Sequence, residues 1–205
     1  IKMSPVIREC TRRGLEFTVL HTGQHYSYAM DKIFFEQLEL SSPTYNLDVG
    51  SGTQGVQTAA ILSGTENVLL KRPPGIVLVQ GDTNTVCAGA LAAAKLHIPV
   101  GHVEAGLRSF DRSMPEEINR IVADHVADQL YAPTETSRQN LLHEGIPGEK
   151  ITVTGNTVVD AVHQNIRIAR QKVHPLEELG LTPGNYFLVT AHRAENVDNP
   201  IHLAE

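Results

Sequence analysis

The 205-residue sequence contains no tryptophan, only two cysteines, and so few aromatic residues that they make up 5% of the chain. Cys10 and Cys87 form neither a C-x-x-C motif nor a zinc-ligand spacing, so we do not expect a disulfide scaffold. A reducing, cytoplasmic location fits this cysteine usage best. No apolar run approaches the roughly 20 residues of a membrane-spanning helix, so no membrane partner is expected.

Positive charge is also scarce, because 17 lysines and arginines stand against 23 aspartates and glutamates and leave a net charge of −6. A general binder of nucleic acid or of anionic membranes needs a basic face, so this balance argues against both partners. The ten histidines show no H-E-x-x-H motif and no paired-ligand spacing, and we therefore expect no metal site. The sequence also lacks a P-loop motif and a G-x-S-x-G nucleophile elbow.

Short apolar, β-branched runs alternate along the chain with patterns that are typical of helices. Strands are predicted at 17–20, 76–80, 99–103, 129–132 and 151–154, and helices at about 29–38, 54–70, 84–97, 115–127, 134–144 and 156–172. Short buried strands separated by helices predict a parallel sheet with right-handed crossovers. The predicted fold class is therefore α/β, with helices on both faces of the sheet.

The alternation breaks at 176–185, a stretch that is rich in glycine and proline, and the apolar run 186–190 then predicts a new buried strand. Both ends look cut, because the chain begins at Ile1 and the Asn199-Pro200 pair predicts a helix that has barely begun. The predicted organisation is an N-terminal α/β domain over 1–172, a linker over 173–185 and the beginning of a second domain over 186–205.

Polar residues that directly follow strands are the first candidates for a functional site. Ligands of open parallel sheets bind beyond the carboxyl ends of the strands, where such residues lie. Asp82 follows the strand 76–80 and is therefore a candidate. The alternative is that Asp82 or Thr83 caps the helix that starts there.

Glu104 stands at the end of the next predicted strand. Alternation along that strand places His102 and Glu104 on the same face. A carboxylate in this position would be costly to bury without a partner. A Glu104–Arg108 ion pair that only fixes the loop is therefore the alternative to a functional role.

Two further candidates occur near the start of a helix and after the last predicted strand. Ser113 and Glu116 have the S-x-x-E spacing of a capping box, so Glu116 either satisfies a backbone N–H or serves the site. His192 and Arg193 follow the last strand, and this pair suits recognition of a diphosphate. A surface turn is the alternative for that pair.

Seven short motifs occur in order along the chain and are highly specific as a set. They are Ile1-Lys2-Met3-Ser4-Pro5, Gln80-Gly81-Asp82-Thr83, His102-Val103-Glu104-Ala105-Gly106-Leu107-Arg108, Pro115-Glu116-Glu117-Ile118-Asn119-Arg120, Ala132-Pro133-Thr134-Glu135, Gly155-Asn156-Thr157-Val158-Val159-Asp160 and Thr190-Ala191-His192-Arg193. The whole resembles the non-hydrolysing UDP-N-acetylglucosamine 2-epimerases, and the likeness covers essentially the full sequence.

The resemblance implies a glycosyltransferase-B-like fold, in which a doubly wound parallel-sheet domain is followed by a second, similar domain and the active site lies in the cleft between them. Members of the family interconvert UDP-N-acetylglucosamine and UDP-N-acetylmannosamine, commonly as homodimers, and need no redox cofactor. The product feeds cell-envelope and capsular polysaccharides. We therefore expect a UDP-sugar substrate, a homodimer and no cofactor.

The resemblance also implies residue roles. The matching catalytic positions are Asp82, Glu104, Glu116 and His192, and the residues expected to bind substrate are Lys2, Arg193 and Arg108. The implied reaction eliminates UDP to give 2-acetamidoglucal and re-adds UDP after a proton reaches the opposite face of the sugar. Asp82 and Glu116 are expected to transfer protons, and Glu104 to stabilise positive charge at C1. His192, Arg193 and Lys2 are expected to meet the charge of the departing diphosphate.

The sequence departs from the family at both ends. The Gly-Thr-Arg-Pro-Glu turn that precedes the Ile-Lys motif in the family is missing, as is most of the second domain, so this chain alone is expected to bind UDP poorly. The segment Gln24-His25-Tyr26 lies where part of a regulatory UDP-N-acetylglucosamine site of bacterial members would be.

Four alternatives to the epimerase remain open from the sequence. The first is an epimerase of a related UDP-2-acetamido sugar, such as a diacetamido-uronate. The second is a hydrolysing epimerase, which releases UDP and free N-acetylmannosamine. The third is a glycosyltransferase of the same fold, and the fourth is a remnant that folds without catalysis.

Overall fold

The computed structural model describes residues 1–23 and 32–190. The chain divides into two compact units, Ile1–Ile166 and Arg167–Glu205. All the candidate site residues that the structure describes belong to the first unit. No helix in the described ranges combines the length and the apolar character that crossing a lipid bilayer would require.

Strands and helices alternate through most of the first unit. The strands are β1 (Leu20–His21), β2 (Tyr45–Asn46), β3 (Val77–Gln80), β4 (Val100–Val103), β5 (Gln129–Ala132) and β6 (Ile151–Val153). The helices are α1 (Ser4–Arg12), α2 (Lys32–Gln37), α3 (Gln54–Lys71), α4 (Asn84–Lys95), α5 (Pro115–Val126), α6 (Glu135–His143), α7 (Thr157–Lys172) and α8 (Pro175–Glu178).

The four longer strands form one parallel sheet in the order β3-β4-β5-β6, and β1 pairs with β2 in a second, two-stranded parallel sheet. Helices α4, α5 and α6 connect successive neighbours of the larger sheet. Because such crossovers are right-handed, all three helices cover the same face. The predicted α/β class with a parallel sheet is confirmed.

The core lies between the larger sheet and these crossover helices. Helix α4 packs its alanines there, with Ala88, Ala90 and Ala93 fully buried, and the fully buried Leu130 and Leu141 come from β5 and α6. The alanine side chains are small, so α4 can approach the sheet and α3 closely. This close packing holds the carboxyl ends of β3 and β4, and the residues that follow them, in a fixed frame.

Several predicted elements differ from those observed. The prediction assigned no element to Ser4–Arg12 or to Tyr45–Asn46. The strand predicted at 17–20 shares only Leu20 with the observed β1, Leu20–His21. The strand predicted at 186–190 is wrong, because these residues form no strand and Phe187 is 98% exposed. An apolar run becomes a strand only where a neighbouring strand completes its hydrogen bonds, and no described strand pairs with it.

Candidate active site

The structure describes five of the seven predicted site residues. Lys2, Asp82, Glu104, Arg108 and Glu116 lie within the described ranges. The other two predictions, His192 and Arg193, lie outside the described residues, as does the segment 24–26 that was considered for a regulatory site.

Glu104 lies at the carboxyl end of β4 with a buried side chain and a left-handed backbone, φ +72°. Nζ of Lys2 donates to both of its carboxylate oxygens, at 2.7 and 2.8 Å. Nε2 of Gln80 donates to Oε2 at 2.5 Å, and Nδ2 of Asn156 donates to Oε1 at 3.2 Å. Each oxygen therefore has two donors, and this carboxylate is held rigidly as an acceptor.

The predicted alternative of a Glu104–Arg108 ion pair is wrong, because Glu104 pairs with Lys2, 102 residues away. Sequence reasoning also gave no role to Gln80 and Asn156, although both belong to motifs that it quoted. The signal that could have found them is position: Gln80 ends β3 and Asn156 follows β6, so both lie at the same edge of the sheet as Glu104.

Asp82 follows β3 after a single glycine and is partly exposed. Nη2 of Arg120, on α5, donates to its Oδ2 at 2.5 Å. Thr83 is the N-terminal cap residue of α4, and its side chain makes no capping hydrogen bond. Asp82 does not cap α4, because its side chain pairs with Arg120, whereas Thr83 takes the cap position. Arg120 therefore joins the site as a residue that sequence reasoning missed.

Glu116 lies in the first turn of α5, is exposed, and has no hydrogen-bond or ion-pair partner within residues 1–23 and 32–190. The predicted capping box is absent, because the cap residue is Met114 and makes no side-chain capping bond. Oγ of Ser113 donates instead to Oδ1 of Asp111 at 2.7 Å. The Glu116 carboxylate is therefore not used by the local structure.

The neighbouring Glu117 is buried and anchors the loop between β4 and α5. It accepts hydrogen bonds from Ser109 N and Oγ, both at 3.0 Å, and from Phe110 N at 2.9 Å. Burial opposes the charge on Glu117, but these donors and the nearby Arg120 outweigh it and lower its pKa below the usual 4.5. These hydrogen bonds hold the backbone of Phe110 at φ +59°, a conformation that is unusual for an aromatic residue.

Replacing Glu117 with glutamine is expected to lower the free energy of unfolding by about 1–3 kcal/mol, because an amide NH₂ would face N–H and O–H donors. Glu116→Gln in the same helical turn is the matched control and should leave stability unchanged. Urea denaturation measures the stability of both variants.

The lowered pKa of Glu117 means that its contribution to stability is present above pH 4.5 and lost as the pH falls below it. The difference in the free energy of unfolding between wild type and E117Q should therefore shrink in acid. Equal stability of the two proteins at pH 7 would contradict the anchoring role of Glu117.

Arg108 has a different environment from the one that the resemblance implied. Its side chain is 1% exposed and lies between Asp124, at 2.8 Å, and Glu144, at 2.6 Å. Burial opposes its charge, but both carboxylates outweigh burial and raise its pKa. Because Asp124, Glu144 and the carbonyl of Leu107 accept from its donors, Arg108 secures the loop after β4, and its role in binding substrate stays a prediction.

The described residues thus place three carboxylates at the carboxyl edge of one sheet in different states of pairing. Glu104 is surrounded by donors, Asp82 shares one oxygen with Arg120, and Glu116 has no partner in the part of the chain that the structure describes. Within the described part of the chain, no three histidine, cysteine, aspartate or glutamate side chains cluster as metal ligands would. The arrangement can accept and return protons and can stabilise a positive charge.

Comparison with known proteins identifies relatives over nearly the whole chain. A family model described as UDP-N-acetylglucosamine 2-epimerase matches residues 8–205. The UDP-N-acetylglucosamine 2-epimerase of Methanocaldococcus jannaschii is 57% identical over 205 aligned positions, and the match covers 99% of this chain and 56% of the relative. The UDP-2,3-diacetamido-2,3-dideoxy-D-glucuronate 2-epimerase of Pseudomonas aeruginosa is 46% identical over 195 residues, covering 94% and 53%.

Solved structures give the same result. The crystal structure of M. jannaschii UDP-GlcNAc 2-epimerase in complex with UDP-GlcNAc and UDP matches with a TM-score of 0.90 and 56% identity, over 99% of this chain and 56% of that chain. This likeness confirms the predicted glycosyltransferase-B-like fold class. The chain spans about half the length of the curated relatives it matches. It belongs, as its seven motifs predict, to the UDP-N-acetylglucosamine 2-epimerase family.

Proposed function

We propose that the protein carrying this chain interconverts UDP-N-acetylglucosamine and UDP-N-acetylmannosamine by eliminating and re-adding UDP. The observation that carries this proposal is the set of three carboxylates, Asp82, Glu104 and Glu116, at one edge of the sheet in a member of this family. Their different surroundings suit them to different steps of one reaction.

The chemistry requires more than a single base. The hydrogen on C2 of the sugar is not adjacent to a carbonyl and is barely acidic, so a lone base would fail to remove it. If the bond between C1 and the UDP oxygen breaks as the C2 proton leaves, the products are 2-acetamidoglucal and UDP. Re-addition of UDP, with proton delivery to the opposite face of C2, gives the epimer. Two proton-transfer groups on opposite sides of the ring are therefore needed.

The pairing of each carboxylate supports a division of roles. Glu104 already has two donors at each oxygen, so a proton transfer would have to displace one of them. We assign Glu104 to the positive charge that develops at C1. Among the described residues Glu116 has no partner and only one oxygen of Asp82 is paired, so these two carry the proton transfers.

The departing UDP needs cations. Lys2 is partly exposed and lies against Glu104, so its ammonium can serve both that carboxylate and a phosphate. Because of the motif in which they occur, we also assign His192 and Arg193 to the negative charge of the departing diphosphate. Closure of a cleft over the sugar would retain the glucal intermediate and exclude water.

The proposed context of the site follows from the same family. In the described residues β3 pairs only with β4, and we propose that a strand preceding Ile1 lies along its other edge. Residues 1–172 then form the N-terminal domain, 173–185 the linker and 186–205 the beginning of a second domain.

We also propose that the protein is a homodimer and that its product is used in the synthesis of cell-envelope polysaccharides. A cytoplasmic location fits the two free thiols, Cys10 and Cys87.

A second candidate substrate is a UDP-diacetamido-uronate. The 46% identity to the P. aeruginosa enzyme named for that sugar favours it as the alternative. The two substrates share UDP and the C2 acetamido group, so the same three carboxylates would serve both.

The test is proton NMR of the whole protein with UDP-N-acetylglucosamine in D₂O. Reversible elimination replaces the C2 hydrogen by deuterium, so we expect the C2 proton signal to disappear while UDP-N-acetylmannosamine appears. Free N-acetylmannosamine would indicate a hydrolysing enzyme instead. An unchanged spectrum would contradict the proposed substrate, and the diacetamido-uronate would then be assayed in the same way.

A further inference from the structure

His102 is the most deeply buried ionisable group near the site, and the proposed reaction does not use it. Its side chain and that of Asp124, on α5, are both 0% exposed. Nδ1 of the ring lies 2.6 Å from Oδ1 of Asp124, and Nε2 lies 2.8 Å from the carbonyl oxygen of Gly81. The ring therefore bridges a carboxylate and the peptide that directly precedes Asp82.

Both partners of the ring accept hydrogen bonds. The carbonyl of Gly81 has no proton to donate, so Nε2 must carry one. Oδ2 of Asp124 already accepts from the backbone N–H of Gly106 at 3.1 Å and lies 2.8 Å from Nη1 of Arg108. Asp124 is thus a carboxylate with two other donors, and Nδ1 is the donor in its contact with Oδ1.

Charged partners on both sides of Asp124 accommodate this protonation state. Asp124 is fully buried between the ring and Arg108, whereas Glu144, the second partner of Arg108, is 28% exposed. An imidazolium at His102 and the guanidinium of Arg108 then flank one buried carboxylate, and the second negative charge lies at the surface. We propose that His102 is an imidazolium and that, with Asp124, it is a positioning pair for the three carboxylates of the proposed reaction.

The positioning role follows from the elements that the pair joins. The ring stands on β4 two residues before Glu104, and it bonds the turn that carries Asp82. Asp124 stands on α5, whose first turn carries Glu116. The elements that carry the three carboxylates are therefore joined by the His102–Asp124 pair. A shift of either member of the pair moves one carboxylate relative to the others. This inference rests on the proposed function for its kinetic consequence, but the protonation of the ring does not.

Long-range ¹H–¹⁵N NMR of the uniformly ¹⁵N-labelled whole protein tests the protonation state. At pH 7 both ring nitrogens of His102 should carry protons. In Asp124→Asn the new amide can donate to Nδ1, so Nδ1 should lose its proton while Nε2 keeps its own. His125→Gln, an exposed neighbour on the same helix, is the control and should leave these signals unchanged. An unprotonated Nδ1 in the wild type would overturn the imidazolium.

Two substitutions separate the two hydrogen bonds of the ring. The amide nitrogen of asparagine overlies Nδ1 and that of glutamine overlies Nε2, so His102→Asn keeps the bond to Asp124 and His102→Gln keeps the bond to Gly81. We expect H102N to lower kcat for UDP-N-acetylglucosamine about 10- to 100-fold with little change in KM, and H102Q to retain more activity. His125→Gln should keep wild-type kcat.

Thermal unfolding of the same variants distinguishes positioning from general stability. If the losses in kcat follow the losses in Tm and ignore which donor is kept, or if H102N keeps wild-type kcat, the positioning role is overturned. A wild-type protein without epimerase activity would refute the proposed function. The NMR result would then still decide the protonation of His102, so the two failures are distinguishable.

Discussion

Glu116→Gln in the whole protein is expected to lower the epimerase kcat by about 10²- to 10⁴-fold, which is the range for losing a proton-transfer group. Glutamine has nearly the same shape and could still serve a capping box, but it cannot accept and return a proton. The structure shows no capping bond at this position and no partner for Glu116 in the described ranges. Loss of activity would therefore come from chemistry and not from the helix.

The control for this substitution is Glu135→Gln, in the first turn of the next helix. Glu135 is also exposed, and its partners Arg138 and Gln139 belong to its own helix. We expect E135Q to keep wild-type kcat and both variants to keep wild-type stability in urea. Steady-state kinetics measure the difference, and an E116Q protein with activity within a few-fold of wild type would remove Glu116 from the proposed mechanism.

Gly106→Ala is expected to produce the largest loss of stability, about 2–5 kcal/mol. Gly106 has φ +77°, and an added methyl carbon would lie 2.3 Å from the carbonyl oxygen of Ser137 and 2.9 Å from Cγ of Leu141. The left-handed conformation costs an alanine about 1–2 kcal/mol, and the overlap with α6 adds about 1–3 kcal/mol or more. Such a loss is a large part of the roughly 5–15 kcal/mol that stabilises a typical domain.

Gly145→Ala separates these two contributions. Gly145 also has a left-handed backbone, φ +85°, but no atom lies within 4 Å of the position of its added methyl group. Its substitution should therefore cost only the conformational strain of about 1–2 kcal/mol. Urea denaturation of both variants gives the overlap term by difference. Equal losses would mean that the loop after β4 does not pack against α6 as closely as the structure shows.

Local sequence patterns predicted the central part of the fold well. The strands predicted at 76–80, 99–103, 129–132 and 151–154 are all observed within one or two residues, because each is a short apolar run whose hydrogen bonds a parallel neighbour completes. Helix α1 was not predicted, although Val6, Ile7 and Cys10 follow Met3 at helical spacing, because the stretch is short and mixes a proline with three charged residues. The run 186–190 has the right composition for a strand but no paired neighbour in the described residues.

Partner choice within the site was not predictable from nearby residues. The sequence spacing favoured Ser113 as a cap for Glu116, but Ser113 bonds Asp111 instead. The same reasoning paired Arg108 with Glu104, four residues away, whereas Arg108 lies between Asp124 and Glu144. A charged side chain pairs with whichever opposite charge the fold brings nearest, and sequence distance does not measure that separation.

The sequence by itself determined the α/β class, the membership of the family, the positions of Asp82 and Glu104 after strands and the position of Glu116 at the start of a helix. These features depend on short-range periodicity and on motifs, which are complete within a few residues. Only the tertiary structure decided that Lys2, Gln80 and Asn156 surround Glu104, and that His102 is buried against Asp124. The physical reason is that hydrogen bonds and ion pairs act over a few ångströms, and only the packed sheet and helices bring such distant residues within that range.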